Sequence, residues 1–164
     1  KDRADSIFFR IFGLLVLIRY FCRKFVLARI IALDFGLRRT GIAVTDPLQL
    51  IASGLTTVAT SDLISFLETY LDQEEVERIV VGEPRQMDNQ PSEVERAIGK
   101  FLSQLGRRFP GIPVSRQDER FTSKMAARSM VEGGMKKKKR REKATLDEIS
   151  ATLILQSYLS SNNP

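Results

Sequence analysis

Three carboxylates stand where a chain of this kind can do chemistry. Asp34 closes the apolar run Arg29-Ile-Ile-Ala-Leu-Asp34 and opens Asp34-Phe-Gly36-Leu-Arg38-Arg39-Thr-Gly41. Asp118-Glu119-Arg120-Phe-Thr-Ser123 follows a short β-prone stretch. Asp147 lies four residues after Lys143, at the border of an apolar helical stripe that includes Ala151 and Ile154 on its own side. An acid on such a stripe is costly unless it is paired or holds a metal. Each local pattern also has a plainer reading. Asp34 alone fits a hairpin whose Asp caps the turn, and by itself that reading is the better one. Asp118 and Glu119 suit the positive end of a helix dipole. Adjacent acids on an extended strand cannot share a face, so only one of them can enter a cleft.

Composition narrows the chemistry. The 164 residues include no histidine and a single cysteine, Cys22. Histidine-dependent nucleophile pairs, imidazole bases and His-rich or Cys-rich zinc sites are excluded, as is an internal disulfide framework. Converging carboxylates remain, and they suit Mg²⁺ or Mn²⁺, hard cations that take oxygen ligands. Two such ions about 4 Å apart stabilise both the attacking and the leaving oxygen of a phosphodiester.

The elements that must position these acids are readable from periodicity. Apolar runs predict strands at 29–34, 41–45, 49–58, 78–82 and 112–118. Helical spacing predicts helices at 61–73, 92–108, 122–131 and 145–159, with Pro91 and Gly106 as punctuation of the second. The first three strands form a meander, and the order implies an α/β fold: a mixed five-stranded sheet with helices on both faces.

Residues 1–28 differ from the rest. Apolar and aromatic residues at 7–25 are interrupted by Arg10, Arg19, Arg23 and Lys24. The longest apolar run, 11–18, falls short of the roughly 20 residues that span a bilayer. The segment reads as an extension outside the natural domain, with an interfacial segment or an extra helix as alternatives. The domain itself is expected over 29–164.

Charge is concentrated. The net +6 comprises six basic and two acidic groups on 1–28, six basic groups at Lys136, Lys137, Lys138, Lys139, Arg140 and Arg141, and 14 basic against 18 acidic groups elsewhere. Such a run is commonly a solvated loop. Lying shortly before Asp147, it suits contacts to a phosphate backbone, which confer salt-dependent affinity without sequence preference. Arg38, Arg39 and Arg120 are further phosphate candidates, whereas the scarcity of aromatics beside them argues against base stacking.

Four motifs in order resemble the YqgF/RuvX family of the RNase H-like superfamily: Asp34-x-Gly-x4-Gly41, Val80-Val-Gly-x-Pro84 with Met87, the 118–123 run, and Lys143-x3-Asp147 with its Leu-Ile-Leu-Gln-Ser-Tyr158 ending. The resemblance covers about 29–160. It implies an RNase H-like fold, a cytoplasmic setting and a metal-dependent nuclease, with Asp34, Glu119 and Asp147 as catalytic metal ligands. It further implies a nucleic-acid partner: pre-16S rRNA matured at its 5′ end, or branched DNA of the Holliday-junction type. Ribosomal precursor particles are possible partners, no membrane is expected for the domain, and a monomer or a homodimer is compatible. A non-catalytic RNA-binding assembly factor is the alternative of another class, and an actin-like phosphotransferase a remote one. Two positions depart from the pattern. Glu83 replaces a small apolar residue, as an extra acid near the site or an exposed loop residue. Asn89 replaces a glycine, and asparagine tolerates left-handed backbone.

Overall fold

The computed structural model describes residues 28–84, 93–118 and 143–162. The expected extension up to residue 27, the 122–131 helix, Glu119, Arg120 and the tract 136–141 lie outside the described residues. Strands β1 (Arg29–Phe35), β2 (Arg39–Thr45) and β3 (Ala52–Ala59) lead through a 3₁₀ turn, Thr60–Asp62, into helix α1 (Leu63–Gln73). Strand β4 (Val76–Glu83), helix α2 (Glu93–Arg108), strand β5 (Val114–Asp118) and helix α3 (Lys143–Asn162) complete the described elements.

The sheet order is β3-β2-β1-β4-β5. The β1–β2 and β2–β3 pairs are antiparallel, the predicted meander, whereas β1–β4 and β4–β5 are parallel. The C-terminal ends of β1, β4 and β5 therefore share one edge of the sheet. That edge carries Asp34, Glu83 and Asp118.

Side chains alternate across the pleat, so each strand divides its residues between two cores. Ile31, Leu33, Phe35, Ile79 and Val81 face α1 and α2, where Leu63, Leu67, Ile98, Phe101 and Leu105 meet them. Phe35 and Phe101 pack with their rings tilted by 32° and centroids 5.0 Å apart. On the other face Ile30, Ala32, Ala43 and Val80 meet Ala151, Ile154 and Leu155 of α3. Each fully buried aliphatic side chain contributes about 1.5–3 kcal/mol. Burial on both faces explains why β1 reads as a continuous apolar run. By the same alternation Asp34 falls on the α3 face.

The bounds of β3 and α3 differ from the sequence expectation, whereas α2 ends at residue 108 as expected. Strand β3 starts at Ala52 rather than at 49, because the Asp46 carboxylate accepts hydrogen bonds from the amides of Leu48 (3.1 Å), Leu50 (2.8 Å) and Ile51 (2.7 Å). Those amides are thereby withheld from a strand ladder, and Gln49 adopts a left-handed φ of 58°. Helix α2 runs through Gly106 and ends where Phe109 N–H bonds the Leu105 carbonyl, ahead of Pro110. Helix α3 extends beyond the predicted 145–159 at both ends. Among the described residues no helix is long and apolar enough to cross a membrane.

Candidate nuclease site

Asp34 pairs in register with Gly41 of β2. Gly41 decides what lies over Asp34: a Cβ built there would stand 2.0 Å from the backbone oxygen of Asp147. Only glycine lets the first turns of α3 descend onto the sheet at this point. Its neighbours follow suit, with Ala32 and Ala43 fully buried beneath the helix. A Cβ on Gly54 of β3 would be 3.4 Å from Glu148 Cβ and Thr152 Oγ1. Glu148 is half-buried over that glycine. The room at Gly41 is thus taken by α3 backbone. Neither Gly36 nor Gly41 needs a positive φ; space is what both provide.

This packing brings Asp34 and Asp147 together. Burial, and secondly the negative charge of Asp147, push the Asp34 carboxyl up to about 6. The Ser150 hydroxyl, one turn along α3 and itself buried, bonds Asp34 and opposes that rise. Ser150 was not singled out from the sequence. Its signal was its i+3 spacing from Asp147, which places both over the same strand.

The hairpin turn between Asp34 and Gly41 closes through its backbone, Gly36 N–H to the Arg39 carbonyl at 3.0 Å. Thr60 braces it from the β3 end, donating its hydroxyl to the Gly36 carbonyl (2.6 Å) and its amide to the Arg38 carbonyl (3.1 Å). Arg38 and Arg39 are exposed on this braced turn. The Arg39 Nε donates to Asp147 Oδ2 at 3.0 Å. The Asp34 carboxylate is therefore not spent on capping its own turn.

The other acids divide by face. Gln117 of β5 bonds Ser157 of α3 at 3.0 Å, whereas Arg116 forms a two-pronged pair with Glu95 of α2, both contacts 3.0 Å. Alternation thus turns Asp118 away from the Asp34–Asp147 pair. Glu83 is in register with Asp118 and also belongs to the α2 face. The structure brings Asp34, Asp147 and Arg39 together and places Glu83 across the sheet from them. Among the described residues no three His, Cys, Asp or Glu groups come together as a metal cluster.

The donor set assembled here is two carboxylates and a hydroxyl, all hard oxygen groups. Oxygen donors of this kind are what a hard divalent cation takes as ligands.

A family model described as "RuvX: Holliday junction resolvase" matches residues 28–161. A Christiangramia forsetii protein named "Putative pre-16S rRNA nuclease" is 61% identical over 133 residues, 81% of this chain and 98% of that protein. A Phocaeicola vulgatus protein of the same name is 57% identical over 135 residues, covering 82% and 97% of the two chains. Among solved structures, the fold resembles fowlpox virus resolvase in complex with Holliday junction DNA (TM-score 0.54, 11% identity, 83% and 99% covered). It also resembles Thermus thermophilus RuvC bound to a Holliday junction substrate (TM-score 0.52, 18% identity, 82% and 96% covered). At those identities the likeness concerns the fold alone, an RNase H-like one. With its relatives more than half identical across the stretch that the family model spans, the chain belongs to the RuvX family of nucleases.

Proposed function

We propose that this domain is a Mg²⁺- or Mn²⁺-dependent endonuclease that acts on structured RNA at the 5′ end of pre-16S rRNA, in the cytoplasm and on ribosomal precursor particles. The observation that carries the metal-dependent reading is the enforced approach of Asp147 to the half-buried Asp34 across Gly41. A protein gains nothing in stability from pressing two carboxylates together, so the arrangement makes sense as a cation site. Asp34 and Asp147 would hold the ion, with Glu119 as the third ligand. The orientation of Asp118 toward α2 supports choosing Glu119 over its neighbour. When bound, the ion supplies positive charge to the oxygens of the scissile phosphodiester.

The chain's own groups do the rest. Ser150 fixes the Asp34 carboxylate. The braced turn presents Arg38 and Arg39 beside the acids, where guanidinium groups can grip phosphates. Arg120 and the 136–141 tract would extend that grip along the backbone. The names of the relatives favour pre-rRNA as substrate. The family description and the folds seen on junctions favour a second reading, cleavage of four-way DNA, which calls for a dimer cutting two strands.

The test is to incubate the full chain with pre-16S rRNA and with four-way junction DNA, with Mg²⁺ and with EDTA. Metal-dependent cleavage of the RNA, lost in Asp34→Asn and Asp147→Asn, supports the proposal. Preferential cleavage of the junction moves it to the second reading. RNA binding without cleavage, unchanged in both variants, replaces it with a non-catalytic assembly role.

A further inference from the structure

Arg39 stands at the entrance to β2, its backbone fixed on two sides. Its carbonyl accepts the Gly36 amide, and a Cβ on Gly36 would lie 2.5 Å from that oxygen, so the turn has no slack. From this anchored backbone the side chain reaches over Gly41 to the first turns of α3. The contact with Asp147 runs through Nε at 3.0 Å, not through the terminal two-pronged fork that makes the strongest guanidinium–carboxylate pairs. The Arg39 side chain is 43% exposed and that of Asp147 23%. Ion pairs of that kind form and break at little cost.

We propose that Arg39 is the resident counter-ion of the acid pair, a positioning residue that holds Asp147 in the metal-free protein and yields it when a divalent cation binds. Two acids pressed together need positive charge at every stage. In the metal-free protein Arg39 supplies it to Asp147. A divalent ion competes for the same carboxylate, so ion and guanidinium are negatively coupled, each weakening the other's hold by the same factor. The released guanidinium remains tethered at the site by its fixed backbone, beside the place a substrate phosphate would occupy. A purely structural staple between the β1–β2 hairpin and α3 would behave differently: its loss would cost the same stability with metal as without.

This inference rests on the acid pair being a metal site, and the experiment separates the two. Mg²⁺ binding is measured calorimetrically on the full chain for wild type, Arg39→Gln and Arg39→Lys, together with thermal denaturation in EDTA and in saturating Mg²⁺. The expected result is that Arg39→Gln melts below wild type in EDTA, that the gap narrows in Mg²⁺, and that Mg²⁺ affinity rises about two- to five-fold, the size of an exposed ion pair. Arg39→Lys keeps the charge and stays near wild type. A melting gap equal in both conditions, with unchanged affinity, overturns the role of Arg39 and leaves the metal site standing. Absence of Mg²⁺ binding by wild type overturns both. The NMR signal of the Arg39 Nε–H in wild type gives a readout that no variant's folding can spoil. It should shift as Mg²⁺ saturates, and a signal indifferent to bound Mg²⁺ overturns the proposal.

Discussion

The β1–β2–β3 meander carries an aspartate at each of its two turns, and the two are handled in opposite ways. Asp46, just past the end of β2, is gripped by three amides of its own loop. Those hydrogen bonds, that of Ile51 foremost, hold its carboxyl below the ordinary range. Asp34, near the end of β1 on the opposite edge of the sheet, receives no such service from its turn, which closes through Gly36 N–H and the Arg39 carbonyl. Burial and Asp147 raise it to about 6. Residue type and sequence context are alike, an aspartate at a strand end before a turn. What differs is whether the loop consumes the carboxylate. A turn that closes without its aspartate leaves that group available, and here the fold then adds a second acid beside it.

The contrast should fail most completely at Gly41. An alanine there would drive its Cβ into the Asp147 carbonyl, a backbone atom that cannot swing aside as a side-chain end would. Gly41→Ala is expected to cost about 3 kcal/mol, the upper part of the usual overpacking range, and to lift α3 from the sheet. Denaturant unfolding measures the first effect and loss of cleavage the second, while the Asp46 loop keeps its amide shifts. An unchanged midpoint would mean that α3 does not depend on this close approach.

Next in size is Asp34→Asn. A carboxyl raised in the folded state binds its proton more tightly there than in the unfolded chain. Its contribution is therefore complete below about 3.8 and is lost as pH rises through about 6. Each tenfold change in proton affinity is worth about 1.4 kcal/mol, so the ionised group costs roughly 2–3 kcal/mol at neutral pH. In EDTA the asparagine variant should be the more stable protein at pH 7 and should lose that advantage near pH 3.5. Added Mg²⁺ should stabilise wild type and not the variant. Thermal denaturation across that pH range is the measurement, and a variant less stable than wild type at pH 7 without metal would contradict the strained-pair account.

Much of this was legible in the sequence, and what was not has a physical reason. The buried runs of β1 and β4 and the apolar stripes of α1 and α2 declared themselves because hydrophobic period is set by burial. Asp34, Gly41 and Asp147 were recognisable as a set through the family resemblance, yet the role of Gly41 was not. Glycine in a hairpin suggests a special φ, whereas here it makes room for a helix more than 100 residues later in the chain, a contact that no local pattern encodes. Ser150 escaped for a similar reason, since serine in a helix is unremarkable until the strand beneath it is known to carry an acid. The onset of β3 was misplaced because Leu50 and Ile51 look β-prone. The loop that Asp46 organises instead exposes them, with Leu50 72% accessible.

A smaller effect probes the contrast from the Asp34 side. Ser150→Ala removes the hydroxyl that opposes the rise of the Asp34 carboxyl. A hydrogen bond of this kind contributes about 0.5–1.5 kcal/mol, so the carboxyl should titrate above 6, by up to about tenfold in proton affinity. The loss of stability in EDTA should still begin near 3.8, and the pH at which it is complete should move upward with the folded value. Carbon-detected NMR titration of the Asp34 carboxyl provides the check, and a downward shift would show that Ser150 does not serve the ionised form.

The smallest effect is expected at Asp46. This carboxyl is half-buried in its loop, and its low value comes from backbone donors rather than from any charged neighbour. The sign is opposite to that of Asp34: its contribution is present above 3.8 and is lost as pH falls through the lower folded value. In wild type the amide shifts of Leu50 and Ile51 should titrate together with a midpoint below 3.8. In Asp46→Ala those two resonances should stand near their acid-limit positions at all pH values, with cleavage unaffected. Coincident loss of cleavage would tie the far turn to the site after all. A midpoint above 3.8 would mean that the loop amides do not hold the charged form. Either result would erase the distinction between an aspartate that its turn consumes and one that its turn leaves free.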